Sequence, residues 1–320
     1  MFLFNSSRSS LYHVLICNYE KFKNKKILIP AYTCHTVVDT IIRAKISYEY
    51  YNIGLDLSIN FQQIKSKLLS GNFFAILSTN YFGFPYYIEE FKKLAKEHRI
   101  FLFEDNSHGL GSYYKGLSLG QNGDFAFTSL TKHLRLQSGS ILHIKKNLLS
   151  SKIKDCYYVL ENESINFNKF VKSLFSLKFS KTYNFFSSKK SKKLSLDDPY
   201  LYRDDNFSHA KIDKYSKYLF SNLNIEKLKK NKIENYKYWQ ELIYKNFNIT
   251  PIYKINENIN PWCVAYIIKD IRIKREIINF LKNTNAICYS WPTLHTELIN
   301  SKSEALDLWK TILCISTSSK

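Results

Sequence analysis

The chain has 320 residues, of which 45% are hydrophobic and 16% aromatic, and carries a formal net charge of +20 at pH 7. This composition excludes general disorder and suits one sizeable domain with a smaller one. No apolar run approaches the ~18 residues of a membrane span, and "MFLFNSSRSS" lacks the charged start and apolar core of a signal peptide, so a cytoplasmic protein without an integral membrane segment is expected.

From residue 27 short apolar runs alternate with segments of helical period. "KILIPAY" reads as a strand, "HTVVDTIIRA" as a helix and "ISYEYYNI" as a strand, followed by "NFQQIKSKLLS" as helix, "FFAILST" as strand, "YIEEFKKLAKEH" as helix and "IFLFED" as strand. Such alternation predicts an α/β fold, a mostly parallel sheet covered by helices on both faces. "DFAFTS" and "SILHIKK" read as two further strands. Residues 151–205 are lysine-rich and mixed in pattern. Within them, 167–193 sets Phe167, Phe170, Val171, Leu174 and Phe175 at helical spacing beside lysines, which suits an amphipathic helix packed on its own domain better than one on an anionic membrane. A long helical stretch over 211–246 then leads to an α+β tail, in which "PWCVAYIIKD" is a strand and "KREIINFLKNT" a helix. The expected organisation is a large domain over 1–205 and a small C-terminal domain over 206–320.

The lysines are spread along the whole chain among abundant Asn, Ile, Tyr and Phe, so the positive charge reads as a codon bias, with no nucleic-acid partner expected and a weak attraction for anionic metabolites. The six cysteines (17, 34, 156, 263, 288 and 314) form no C-x-x-C pair, which predicts buried free thiols and no metal.

In open α/β sheets ligands gather outside the carboxyl ends of the strands. Pro30 to Thr33, Thr79 with Asn80, Asp105, and Ser129 to Lys132 all fall at such ends. In "FLFEDNSHGLGS" the paired acids Glu104 and Asp105 close a strand; they read either as turn chemistry or as a carboxylate aimed into a crevice.

Several motifs in order decide between these. "FNSSRSSLYHVL" resembles an S-G-R-x-A-L helix start, and "ILIPAYTCHTVVDTIIRAKISYEYYNI" a V-x-x-P-x-Y-T strand and helix. The run from "STNYFGFP" through "FEDNSHGLG" and "GQNGDFAFTSLTKHLRLQSGS" resembles H-x-x-G-x-P, E-D-x-A-Q/H-x-x-G, G-x-x-G-D and then a serine, a Schiff-base lysine and a glycine pair. "YSWPTLH" and "ILCIS" resemble closing motifs of the same family. Together they resemble the DegT/StrS family of pyridoxal-phosphate (PLP) sugar aminotransferases, of the aspartate-aminotransferase type fold (PLP-dependent transferase fold type I).

The resemblance implies roles residue by residue. Lys132 would be the Schiff-base lysine, Asp105 the partner of the cofactor's pyridinium nitrogen, and His108 a neighbour of its ring oxygen; alone, His108 reads as a satisfied loop histidine. Ser7, Arg8 and Ser9 would form the phosphate-binding turn at the first helix, and Ser129 would add a hydroxyl to it, although serines at a helix start are ordinarily N-caps. Cys34 would lie beside the cofactor, where many members carry a stacking aromatic. Asn80 stands where the family usually has a histidine, Ser7 where it has the glycine of S-G-R, and Gly139-Ser140 where it has two glycines. The function implied is transfer of an amino group, from glutamate, to a nucleotide-linked keto-sugar for polysaccharide or related glycan synthesis, by a homodimer with its sites at the interface. Two alternatives stay open: a pyridoxamine-phosphate-dependent sugar dehydratase, in which histidine replaces the lysine and His133 directly follows Lys132, and a binding or regulatory protein that has lost turnover.

Overall fold

The computed structural model describes residues 1–69, 71–134, 136–166, 198–200 and 206–318; the basic stretch 167–193 lies outside them. In chain order the first elements are β1 (Phe2–Phe4), α1 (Ser7–Cys17), α2 (Tyr19–Phe22), β2 (Lys26–Pro30), α3 (His35–Arg43), β3 (Ser47–Tyr51), α4 (Phe61–Leu69), β4 (Phe73–Thr79), α5 (Ile88–Glu97) and β5 (Phe101–Asp105). A small ribbon of β6 (Tyr113–Tyr114) and β7 (Leu117–Ser118) precedes β8 (Phe125–Ser129), β9 (Ser140–Ile144) and α6 (Ser151–Tyr158). The C-terminal part comprises α7 (Lys214–Ser221), α8 (Ile225–Phe247), β10 (Cys263–Ile267), α9 (Ile271–Lys282), β11 (Cys288–Tyr289), α10 (Thr296–Asn300), α11 (Glu304–Thr311) and β12 (Ile312–Ser316).

Seven strands form the main sheet in the order β1-β9-β8-β5-β4-β2-β3. β2, β3, β4, β5 and β8 pair in parallel, whereas β9 runs antiparallel to both β8 and β1. The strands are apolar on both faces because both faces are covered. Ile27, Ile29, Ala75, Leu77 and Phe103 point to a core shared with α1, α3 and α6, while Leu28, Ile76 and Leu102 point to one shared with α4 and α5. The second core continues through Tyr236 and Trp239 of α8 into Val264 and Leu313, which ties the three-stranded sheet β10-β12-β11 to the same face. α5 shows why such a segment becomes a helix. Its buried Ile88, Phe91, Leu94 and Ala95 recur at three- and four-residue spacing, and Glu89 and Glu90 at the first turn and Lys96 at the last complement the helix dipole.

Two elements differ from the sequence reading. β1 is too short to show a period and is fixed by its partner β9, with Phe2 opposite Leu142 and Phe4 opposite Ser140. The stretch 211–246, read as one helix, is two: the chain breaks at Asn222, and the Asn224 side chain accepts the Lys227 N–H to start α8 afresh. Asparagine competes for local backbone bonds in this way, so a continuous apolar period can span two helices. Among the described residues no helix is long and apolar enough to cross a membrane.

Candidate active site

The parallel strands bring the ends of β2, β4, β5 and β8 to one edge, with Thr79 beside Asp105 and Asp105 beside Phe127 in register. A cleft of about 150 Å³ opens there. It is lined by Ser7, Arg8, Cys34, Asp105, His108, Ser129 and Lys132, seven of the nine residues singled out in the sequence.

Lys132 sits in a turn that follows β8, closed by bonds from His133 N–H and Leu134 N–H to the Leu130 carbonyl (3.1 and 2.8 Å). Its Nζ lies 3.2 Å from His108 Nε2 and 4.7 Å from the centre of the Trp262 ring. Burial pulls the Lys132 amine below its ordinary basicity, opposed by the nearby Cys34, Asp105 and Cys263. Hydrogen-bond polarity points the same way. His108 Nδ1 receives the Phe82 N–H at 3.3 Å, so in the neutral ring the proton is on Nε2. Burial, with Lys132 and His133 adding to it, keeps that ring neutral. Nε2–H can therefore donate to the Lys132 amine when that amine is uncharged. A stack on Trp262, 4.0 Å between centres and 11° between planes, holds the imidazole in this orientation.

Asp105 is buried, and one of its oxygens accepts the Ser107 N–H at 3.0 Å. Burial raises its pKa, against the opposing bonds from Ser107 and the charge of Lys132. A carboxylate so placed favours a cation brought into the cleft. The N-terminus of α1 faces the same space, capped by Ser6, whose side chain accepts the Ser9 N–H. Around it gathers a set of hydroxyls: Ser7 Oγ is 3.3 Å from Ser140 Oγ and 3.4 Å from Ser107 Oγ, and Ser129 Oγ is 3.2 Å from Thr131 Oγ1. A helix N-terminus with no acid in its first turn and several hydroxyls is chemically suited to a phosphate. Gly139 precedes this cluster at φ +150°, where a Cβ would come within 3.0 Å of Leu130. Its neighbour Ser140, in place of a second glycine, donates to the Thr128 carbonyl at 3.1 Å and joins the hydroxyl set.

Cys34 caps α3 and lines the cleft. Burial would push its thiol up, but bonding with His35 and Thr36 and the charges of His35 and Lys132 bring it down to about 7. The Thr36 hydroxyl donates to Sγ at 3.2 Å.

Two of the nine residues lie elsewhere. Ser9 donates its hydroxyl to the Ser208 carbonyl at 2.6 Å, and the Asn80 amide is spent on Glu104 at 2.7 Å and Asn106 at 3.2 Å; neither lines the cleft. Conversely, Ser107, Thr131 and Trp291 line it without having been selected. Ser107 lay inside the quoted acidic motif and Trp291 inside "YSWPTLH", but Trp291 reaches the site only through tertiary packing, with its carbonyl bonded by the Tyr32 hydroxyl and the Thr293 carbonyl accepting the His35 N–H at 2.8 Å.

The UDP-4-amino-4,6-dideoxy-N-acetyl-beta-L-altrosamine transaminase of Campylobacter jejuni is 29% identical over 155 residues, 47% of this chain and 40% of that protein. The chain thus spans about two fifths of the length of the curated relatives it matches. Helicobacter pylori PseC, an aminotransferase involved in pseudoaminic acid biosynthesis, superposes with a TM-score of 0.69 at 16% identity over 98% of this chain and 80% of its own. The E. coli GDP-4-keto-6-deoxy-D-mannose-3-dehydratase superposes at 0.66 with 14% identity, over 98% of this chain and 82% of its own. At these identities the two structures speak for the shared fold alone. The sequence profile of the DegT/DnrJ/EryC1/StrS aminotransferase family matches residues 5–180, more than half of the chain, and the chain belongs to that family.

Proposed function

We propose that the protein is a PLP-dependent aminotransferase that moves an amino group from an amino-acid donor, glutamate, to a nucleotide-linked keto-sugar in glycan synthesis, acting as a cytoplasmic homodimer with its sites at the subunit interface. The observation that carries this reading is the divergence of two neighbours: Lys132 Nζ faces the cleft and Asp105, whereas His133 turns away, with Nε2 donating to the His108 carbonyl at 2.7 Å and Nδ1 3.0 Å from Lys232 Nζ. A dehydratase of this fold would need the histidine in the cleft.

The residues present fit PLP. The buried Asp105 carboxylate suits a protonated ring nitrogen, and the α1 N-terminus with Ser7, Ser129 and Thr131 suits the phosphate. When bound, PLP supplies the carbonyl that carries the amino group and the ring that accepts electrons as a C–H bond breaks. Lys132 Nζ, buried and with its basicity lowered, would take up that proton and return it. Asp105 would hold the ring proton in place, and the Trp262 and Trp291 rings lie beside the Lys132 amine.

The test has two stages. Glutamate alone should change the cofactor spectrum and release one equivalent of 2-oxoglutarate per site, and Lys132→Ala should abolish both this reaction and the borohydride-reducible adduct. Mass spectrometry of products from a panel of nucleotide keto-sugars then decides the class. Replacement of carbonyl oxygen by an amine supports the aminotransferase, and loss of water without amine gain supports the dehydratase. No reaction with any donor, despite bound PLP, makes it a binding protein.

A further inference from the structure

Outside the cleft lining lies a second pair of buried basic groups that the proposed reaction does not use. Lys232 of α8 is 2% exposed, and its Nζ meets His133 Nδ1 at 3.0 Å. Among the described residues no carboxylate forms an ion pair with it. A buried lysine without a counterion is costly, so its one good polar contact calls for an account.

The polarity of that contact is fixed. His133 Nε2 faces the His108 carbonyl, which can only accept, so the ring proton is on Nε2 and the bare Nδ1 accepts from Lys232. His133 directly follows Lys132 in that turn, and the two side chains leave it in different directions, one to the cleft and the other to the His108 carbonyl. Pinning the imidazole at both nitrogens therefore sets the rotation of the turn that presents Lys132 to the cleft. The carbonyl at the other end belongs to His108, whose ring meets Lys132 Nζ at 3.2 Å. One imidazole thus ties down both partners of the Lys132–His108 contact, and Lys232 anchors that imidazole to α8.

We propose that Lys232 and His133 form a buried brace that positions Lys132 and His108 against each other; this rests on the reading of Lys132 as the reactive amine. Lys232 and His133 are positioning residues, since neither touches the cleft. The titratable groups facing the brace are Cys263 beside Lys232, Lys132 and His108 beside His133, and Asp105 and Cys34 beside Lys132.

The test uses the cofactor-free full chain. PLP is added, the mixture is trapped with borohydride at intervals, and the rate of labelling at Lys132 is read by peptide mapping. Lys232→Met and His133→Leu should each slow labelling about tenfold or more, while His133→Asn, which keeps one donor and one acceptor, should stay within roughly threefold of the parent. The double variant Lys232→Met/His133→Leu should be no slower than the slower single one, because the two act through one relay. Parent-like labelling in both single variants, or fully additive effects, would overturn the brace. Nitrogen NMR of the His133 ring in the unmodified chain provides a second reading that needs no variant to fold. A neutral ring protonated at Nε2 supports the brace, and a cationic ring or one protonated at Nδ1 refutes it. If the parent takes no PLP at Lys132, the aminotransferase reading falls, and the NMR result alone then judges the brace.

Discussion

Glu104 and Asp105 are consecutive in β5, yet their carboxylates serve opposite sides of the strand. Glu104 accepts from the Asn80 amide and from the backbone N–H groups of Gly120, Asn122 and Gly123, at 2.7, 2.8, 2.9 and 3.0 Å, while Asp105 opens on the cleft. The alternation of side chains along a strand makes this division of labour possible. Each acid therefore has its own predictable failure.

Removing Glu104 leaves a loop of backbone donors without an acceptor in a buried place. Glu104→Ala should destabilise the protein by roughly 3 kcal/mol or more, since each buried group left unsatisfied costs about 1–3 kcal/mol. Urea unfolding would measure it. Unchanged stability would mean that water satisfies the loop as well as the carboxylate does.

Asp105 should show the reverse pattern. Because burial raises its pKa in the folded state, the native protein binds more protons than the unfolded chain between the ordinary carboxylate value and the raised one, so this group's contribution to stability falls as pH rises through that window. Above that window the ionised carboxylate is a cost to the cofactor-free fold. Asp105→Asn should match or exceed the parent's thermal stability at pH 7 without cofactor, yet lower turnover on the order of a hundredfold. A variant with normal turnover would reduce Asp105 to a turn residue.

The acidic motif also marks how far sequence reached. The βαβ alternation, the four converging strand ends and the place of Lys132 at one of them were legible because period, chain order and motif spacing are local properties. The orientation of Asn80 was not, because its partner Glu104 is 24 residues away and its own position relative to β4 suits either role. Trp262 was read only as part of a strand-forming segment, since nothing local signals that its ring will stack on His108. The directions of Lys132 and His133 were not legible either, because they depend on the turn after β8, which sends one side chain to the cleft and the other to the His108 carbonyl.

Cys34 should be the thiol most reactive toward alkylation near neutral pH. Its pKa of about 7 follows from His35, Thr36 and Lys132 overcoming burial, whereas burial pushes Cys17 up to about 12. Iodoacetamide labelling followed by mass spectrometry should show half-maximal reactivity near pH 7 at Cys34, and PLP should protect it, because it lines the same cleft. Labelling that rises only above pH 8.5, or that ignores PLP, would place the thiol outside the cofactor's reach.

Lys232 separates stability from positioning. Burial lowers its pKa from 10.5 to about 7. Between those values the unfolded chain binds the proton that the native state has given up, so stability rises with pH across the window, and below the lower value the penalty is fully present. The shift corresponds to a cost on the order of 4 kcal/mol near neutrality, reduced by the bond to His133. Lys232→Met keeps the apolar stem and removes the charge, so its melting temperature should exceed the parent's at pH 7, with the difference narrowing toward pH 10. Burial also lowers the Lys132 pKa, but that group is common to both proteins and cancels from the difference. A variant that gains stability while Lys132 loses reactivity would show that the buried amine is kept for the site rather than for the fold. A melting temperature that falls by the same amount at every pH would instead make Lys232 an ordinary structural contact.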